Sequence, residues 1–101
     1  MTDEEYLNTV SQSLQMINTM KFDFVFYVAG VDVHENDKLG KLKITTEGIE
    51  KREKMIISNF YKNEIPLCGV LGGGYNKDFN HLVYLHSILH RTCHEIMNNE
   101  Y

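Results

Sequence analysis

Basic charge is scarce in this sequence: ten Lys and Arg stand against fourteen Asp and Glu, for a net charge of −4. With no basic patch, a nucleic-acid partner is disfavoured. Long apolar runs are missing too, and none approaches the ~20 residues of a membrane span. The N-terminus, MTDEEYL, has neither the basic nor the apolar part of a secretion signal, so a cytoplasmic location is expected. Cysteine is limited to Cys68 and Cys93, a spacing that fits reduced thiols better than a disulfide. There is no internal repeat, no low-complexity segment and no linker. What remains is a chain of 101 residues, 43% apolar, which argues against disorder. That length suffices for one small domain of marginal stability.

Taken in order, the chain alternates helix and strand. Thr2-Asp3-Glu4-Glu5 has the form of a capping box. Leu7, Val10, Leu14 and Ile17 then recur at helical spacing, which predicts a helix from about Asp3 to about Met20. Phe22 to Val28 (FDFVFYV) is apolar on both faces, as in a strand of a parallel sheet covered by helices. A loop follows from Ala29 to Lys43. Thr45 is placed to cap a second helix, with Ile49, Ile56 and Phe60 on one face and an end near Asn63. Gly48 is unfavourable in that helix but falls in its first turn. Ile65 to Leu71 (IPLCGVL), which includes the only proline, is the second strand. Asp78 or Asn76 can cap a third helix, carrying Leu82, Leu85, Leu89, Cys93 and Ile96 on one face. The order α-β-α-β-α implies an α/β fold with a right-handed crossover and a parallel strand pair. Two such strands do not make an independent sheet, so the chain reads as a piece of a larger α/β domain.

The chemistry gathers after the strands, where open parallel sheets place their sites. The stretch VAGVDVHENDKLG carries Asp32, His34 and Asp37. A carboxylate there either ligates a divalent metal or caps a turn in solvent. Asp32-Val33-His34 has a D-x-H form suited to zinc, although a loop does not guarantee a shared face. Gly72-Gly73-Gly74-Tyr75 follows the second strand. Its glycines admit a close backbone approach. No GxxxxGK[ST] pattern accompanies them, which weakens a phosphate cradle. Tyr75 either offers its hydroxyl to a developing oxyanion or serves as a core aromatic after a tight turn. His86, His90 and His94, with His81 nearby, wind toward solvent and form no HExxH motif, so they read as surface histidines.

Together, AGVDVHENDKLG, LKITTEGIEKR and LGGGY resemble the zinc-dependent histone deacetylase family, and within it bacterial and class IV members. The resemblance implies an arginase/deacetylase-like three-layer domain, of which residues 1–101 would be a single partial domain, the C-terminal third. By the same resemblance, Asp32 matches the third zinc ligand, and Tyr75 the tyrosine that hydrogen-bonds the substrate carbonyl and then the oxyanion. Gly72, Gly73 and Gly74 match the wall of the acyl-lysine pocket. Asp37, Leu39 and Gly40 match a loop end with a structural role. His34 is not expected to be a ligand, because Glu35 to Gly40 follows it rather than the family's His-Gly segment.

The family's paired histidines and its first two zinc ligands have no counterpart in the sequence. One carboxylate does not hold a catalytic zinc, which needs three protein ligands. The expectation is therefore a chain inactive alone, with zinc only in a completed site. Acetylated lysine or a small acetylated amine would be its substrate once completed. The completing part would be a separate N-terminal half; the other reading is a non-catalytic, self-associating module.

Overall fold

A computed structural model describes residues 2–37, 40 and 42–98. Leu39, matched above to the loop end, lies outside the described residues. Three helices and two strands follow in the expected order: α1 (Asp3–Ile17), β1 (Val25–Gly30), α2 (Thr46–Lys62), β2 (Leu67–Gly72) and α3 (Phe79–Met97). All three predicted caps form. Thr2 accepts from the Glu5 N–H, Thr45 from the Gly48 N–H, and Asp78 from the His81 N–H. Of the two candidates for the third cap, Asp78 holds the helix, while Asn76 Oδ1 accepts from the Asp78 N–H at 3.0 Å.

α1 stops three residues before Met20. Asn18 leaves the helix to exchange two side-chain hydrogen bonds with Asn59 of α2, at 2.7 and 3.0 Å. The first strand also starts later than its apolar run. β1 and β2 pair in parallel, with Val25 opposite Leu67 and Gly30 opposite Gly72. Below Leu67 the ladder has nothing to continue on: Pro66 has no N–H to give, and Glu64 turns the chain with φ +57°. The pairing therefore begins where the Val25 N–H reaches the Pro66 carbonyl, at 2.9 Å.

Alternate residues of β1 point to opposite sides of the sheet. Tyr27 and Ala29 face α2 and α3, packing with Ile57, Leu89 and Ile96. A second cluster of Val31, Ile44, Ile49, Leu85 and Ile88 fills the space beneath the strand ends. Phe26 and Val28, on the opposite side, are 71% and 64% exposed. The described helices thus cover one face of the sheet, and the apolar second face is bare. An apolar groove of about 290 Å³ also runs between α1 and β1, lined by Leu14, Ile17, Phe26 and Phe60 among others. None of its lining residues belongs to the loops that follow the strands. Among the described residues no helix is long and apolar enough to cross a membrane.

Candidate functional site

The parallel register puts the carboxyl ends of both strands on one rim. Gly30 and Gly72 are partners, and the Val31 N–H extends the ladder by donating to the Gly72 carbonyl at 3.2 Å. Two loops leave this rim, 31–44 and 73–78, and the candidate residues Asp32 and Tyr75 lie one on each.

The first loop is wound into successive turns. The His34 N–H donates to the Val31 carbonyl and the Asp37 N–H to the His34 carbonyl. A short bridge then ties His34 to Ile44, through Ile44 N–H to Val33 O at 2.8 Å and Glu35 N–H to Ile44 O at 2.7 Å. These turns leave Asp32 at the top of β1, with its carboxylate against the second loop. A β-carbon on Gly73 would fall 2.7 Å from Asp32 Cγ, and one on Gly30 would fall 3.0 Å from Asp32 Oδ1. Gly73 also has φ +56° and Gly74 φ +112°, a backbone that a side chain would strain. The Asp32 carboxylate thus explains Gly73, whereas a β-carbon on Gly72 would meet Val28 and one on Gly74 would meet Leu82.

Tyr75 follows directly. Its ring is half exposed, and its N–H donates to Asp37 Oδ1 at 2.6 Å. Asp37 is only 5% exposed, and its other oxygen accepts from the Gly40 N–H at 2.8 Å. One carboxylate therefore joins the two loops. The resemblance matched Asp37 to a loop end but did not reveal this reach, because the contact spans 38 residues.

His34 faces inward, 1% exposed. Its Nδ1 accepts from the Asn36 N–H at 3.1 Å, which leaves Nε2 to donate to Thr46 Oγ1 at 2.9 Å. Burial, with His81 close by, lowers its pKa from the ordinary histidine value, so the neutral ring is favoured. Both nitrogens are engaged in holding the loop to the start of α2. On α3, His90 and His94 are exposed, but His81 and His86 are partly buried. The His81 ring lies 5.0 Å from that of His34, and the place where a Gly74 β-carbon would stand is 3.2 Å from His86 Nε2. The His86 ring thus lies against the glycine loop and the His81 ring against His34, which corrects the reading of these two as surface groups. Among the described residues, no group of three or more His, Cys, Asp or Glu side chains is placed to hold a metal ion.

Beneath the rim lies a polar network that sequence reasoning missed. Arg52 and Glu53 of α2 are 4% and 1% exposed and form an ion pair, with Nε to Oε1 at 3.1 Å. Arg52 Nη1 donates to the Gly30 carbonyl at 2.8 Å and to the Tyr6 hydroxyl of α1 at 3.2 Å. The Tyr27 hydroxyl donates to Glu53. Burial, and Glu53 beside it, push the Tyr27 pKa well above the usual tyrosine value. A signal for this network was present in the sequence. Arg52 and Glu53 stand three and four residues after Ile49, on the apolar face of α2.

Comparison with known proteins gives a consistent result. The family model for the histone deacetylase domain matches residues 1–90. An uncharacterized protein of Picosynechococcus sp. (strain PCC 7002) is 41% identical over 95 residues, covering 93% of this chain but 32% of that protein. Histone deacetylase 2 of Arabidopsis thaliana is 34% identical over 77 residues, covering 75% of this chain and 20% of that protein. The chain thus spans about a third or less of the length of these relatives.

Proposed function

The chain belongs to the histone deacetylase domain family, and on that premise we propose that it is the C-terminal part of a zinc-dependent deacetylase, acting on acetyl-lysine-like amides once the rest of the domain is in place. The reading rests on one observation above the others. Asp32 and Tyr75, the two residues the resemblance assigns to chemistry, stand on loops of a single rim joined through Asp37.

The roles follow from the groups. Asp32 would be one zinc ligand. The described residues offer no set of three, so they do not hold the metal alone, and no step is assigned to it in this chain. The chemistry that zinc supplies in a completed site is polarisation of the amide carbonyl and acidification of a water. Tyr75 would donate its hydroxyl hydrogen to the carbonyl oxygen as that oxygen gains negative charge, an interaction strongest in the transition state. Gly72, Gly73 and Gly74 carry no side chains, so they would let an acylated lysine stem pass close to the backbone. Proton transfer would fall to groups supplied by the remainder of the domain. Residues 1–101 alone would therefore be inactive.

The substrate would be an acetylated lysine or a small acetylated amine, and the subclass bacterial or class IV-like. The match to the Picosynechococcus protein supports the bacterial side of that reading. A cytoplasmic setting is supported by Cys68 and Cys93, which are both free thiols.

The test is co-expression with the portion of the Picosynechococcus protein that has no counterpart in this chain. The reading expects a complex that retains zinc and deacetylates an acetyl-lysine peptide. Asp32→Asn would lose the metal, whereas Tyr75→Phe would keep it and lose most turnover. A zinc-containing complex indifferent to both substitutions would refute the assignment. The bare face of Phe26 and Val28 favours a second reading, a non-catalytic module that self-associates through its sheet.

A further inference from the structure

We propose that Asp37 is the positioning residue that fixes Tyr75 relative to Asp32. This rests on the reading of Tyr75 as the oxyanion donor, but the device itself is built from the main chain.

Three contacts form an unbroken path between the two residues. Asp37 Oδ1 accepts from the Tyr75 N–H at 2.6 Å. Asp37 Oδ2 accepts from the Gly40 N–H at 2.8 Å. Gly40 in turn is pressed against the backbone of Asp32, so closely that a β-carbon on it would lie 1.7 Å from the Asp32 carbonyl oxygen. The order is therefore Asp32 backbone, Gly40, Asp37 carboxylate, Tyr75 backbone. Any displacement of the Asp37 carboxylate moves Gly40 and Tyr75 together.

The chemistry suits the task. A carboxylate accepts at both oxygens, so one rigid group serves two N–H donors at once. Such charge-assisted bonds are stronger than neutral ones. At 5% exposure, Asp37 keeps them out of competition with solvent. The phenol is half exposed on a short glycine loop, so its direction depends on where its own backbone is held. Asp37 holds that backbone, and on the other side Gly73 leaves no room for a β-carbon beside the Asp32 side chain. An effective oxyanion donor needs placement to within about half an ångström.

The test is amide hydrogen exchange and proton shift in the ¹⁵N-labelled chain, for the wild type, Asp37→Asn, Asp37→Ala and Tyr75→Phe. In the wild type, the Gly40 and Tyr75 amides should be protected and shifted downfield. Asp37→Ala should speed exchange at both by at least about tenfold, while Tyr27 and Ala29 in β1 keep their protection. Asparagine has a single acceptor oxygen, so Asp37→Asn should rescue one of the two amides and not both. Tyr75→Phe should leave both protected, because the phenol takes no part in the clamp. An unchanged Tyr75 amide in Asp37→Ala would overturn the proposal, as would equal loss of protection throughout β1. Failure of the deacetylase reading would appear elsewhere, as turnover indifferent to Tyr75→Phe in the assembled protein with the clamp intact.

Discussion

Arg52 Nη1 donates to the carbonyl of Gly30 at 2.8 Å, joining the middle of α2 to the last residue of β1. Gly30 is two residues before Asp32, so the rim is anchored from below by a buried guanidinium. Removing one partner of a buried ion pair leaves the other charge uncompensated, at a cost of about 3–5 kcal/mol. Arg52→Met should therefore lower stability by about 3 kcal/mol, a large share of what a domain this small has. Urea denaturation followed by circular dichroism measures it. A midpoint equal to wild type would show that the network contributes little.

Gly48→Ala should have the opposite sign from its helix propensity. In an ordinary helix the change stabilises by up to about 1 kcal/mol. Here the new methyl would fall 2.6 Å from Ile44 Cγ2 and 2.8 Å from Asp3 Cγ. Ile44 is fully buried, and Asp3 is held by hydrogen bonds from the Thr45 N–H and hydroxyl. Neither neighbour can yield freely. The expected result is a loss of about 1–3 kcal/mol, read as a lower thermal midpoint.

Asp3 should make folding sensitive to acid. Burial alone would raise its pKa, but the hydrogen bonds from Thr45 hold it below the ordinary carboxylate value. With the folded value depressed, the unfolded chain takes up the proton first as pH falls. The contribution of Asp3 is thus fully present above the unfolded value near 3.9 and is lost as pH drops through the folded one. Urea midpoints measured from pH 5 down to pH 2.5 should fall less steeply for Asp3→Asn than for wild type. Equal slopes would contradict the assignment.

The bare face of the sheet should govern association. Phe26 and Val28 are mostly exposed, so replacing both with Asp removes little packing. Light scattering of the wild-type chain should show concentration-dependent oligomers, and the double variant should be monomeric with its thermal midpoint nearly unchanged. Oligomers that persist in the double variant would place the contact elsewhere.

Much of this arrangement was legible before any coordinates. The caps Thr2, Thr45 and Asp78 are local, since each bonds an N–H three residues ahead, and short-range spacing reports such contacts directly. The alternation of apolar runs and helical faces gave the element order. The strand limits were not legible, because β1 starts where Pro66 lets pairing begin rather than where its apolar residues do. The link from Asp37 to Tyr75 was hidden for a related reason: nothing in either loop alone shows which atoms meet once the strands are in register. Arg52 and Glu53 do not stand out in the sequence as buried groups, because charged residues on a helix are expected to face water. Their position on the Ile49 face was the available sign that they do not. The bare face of β1 was not legible either, because an apolar strand reads the same whether one or both of its sides are covered.

Asp32 and Tyr75 share a rim, and in the proposed function the site they form is incomplete without the rest of the domain. The most direct measurement is the rate at which the purified 101-residue chain, supplied with zinc, deacetylates a fluorogenic acetyl-lysine peptide. The rate should be no higher than the uncatalysed background and unchanged by Tyr75→Phe. A rate above background that disappears in Tyr75→Phe would contradict this expectation.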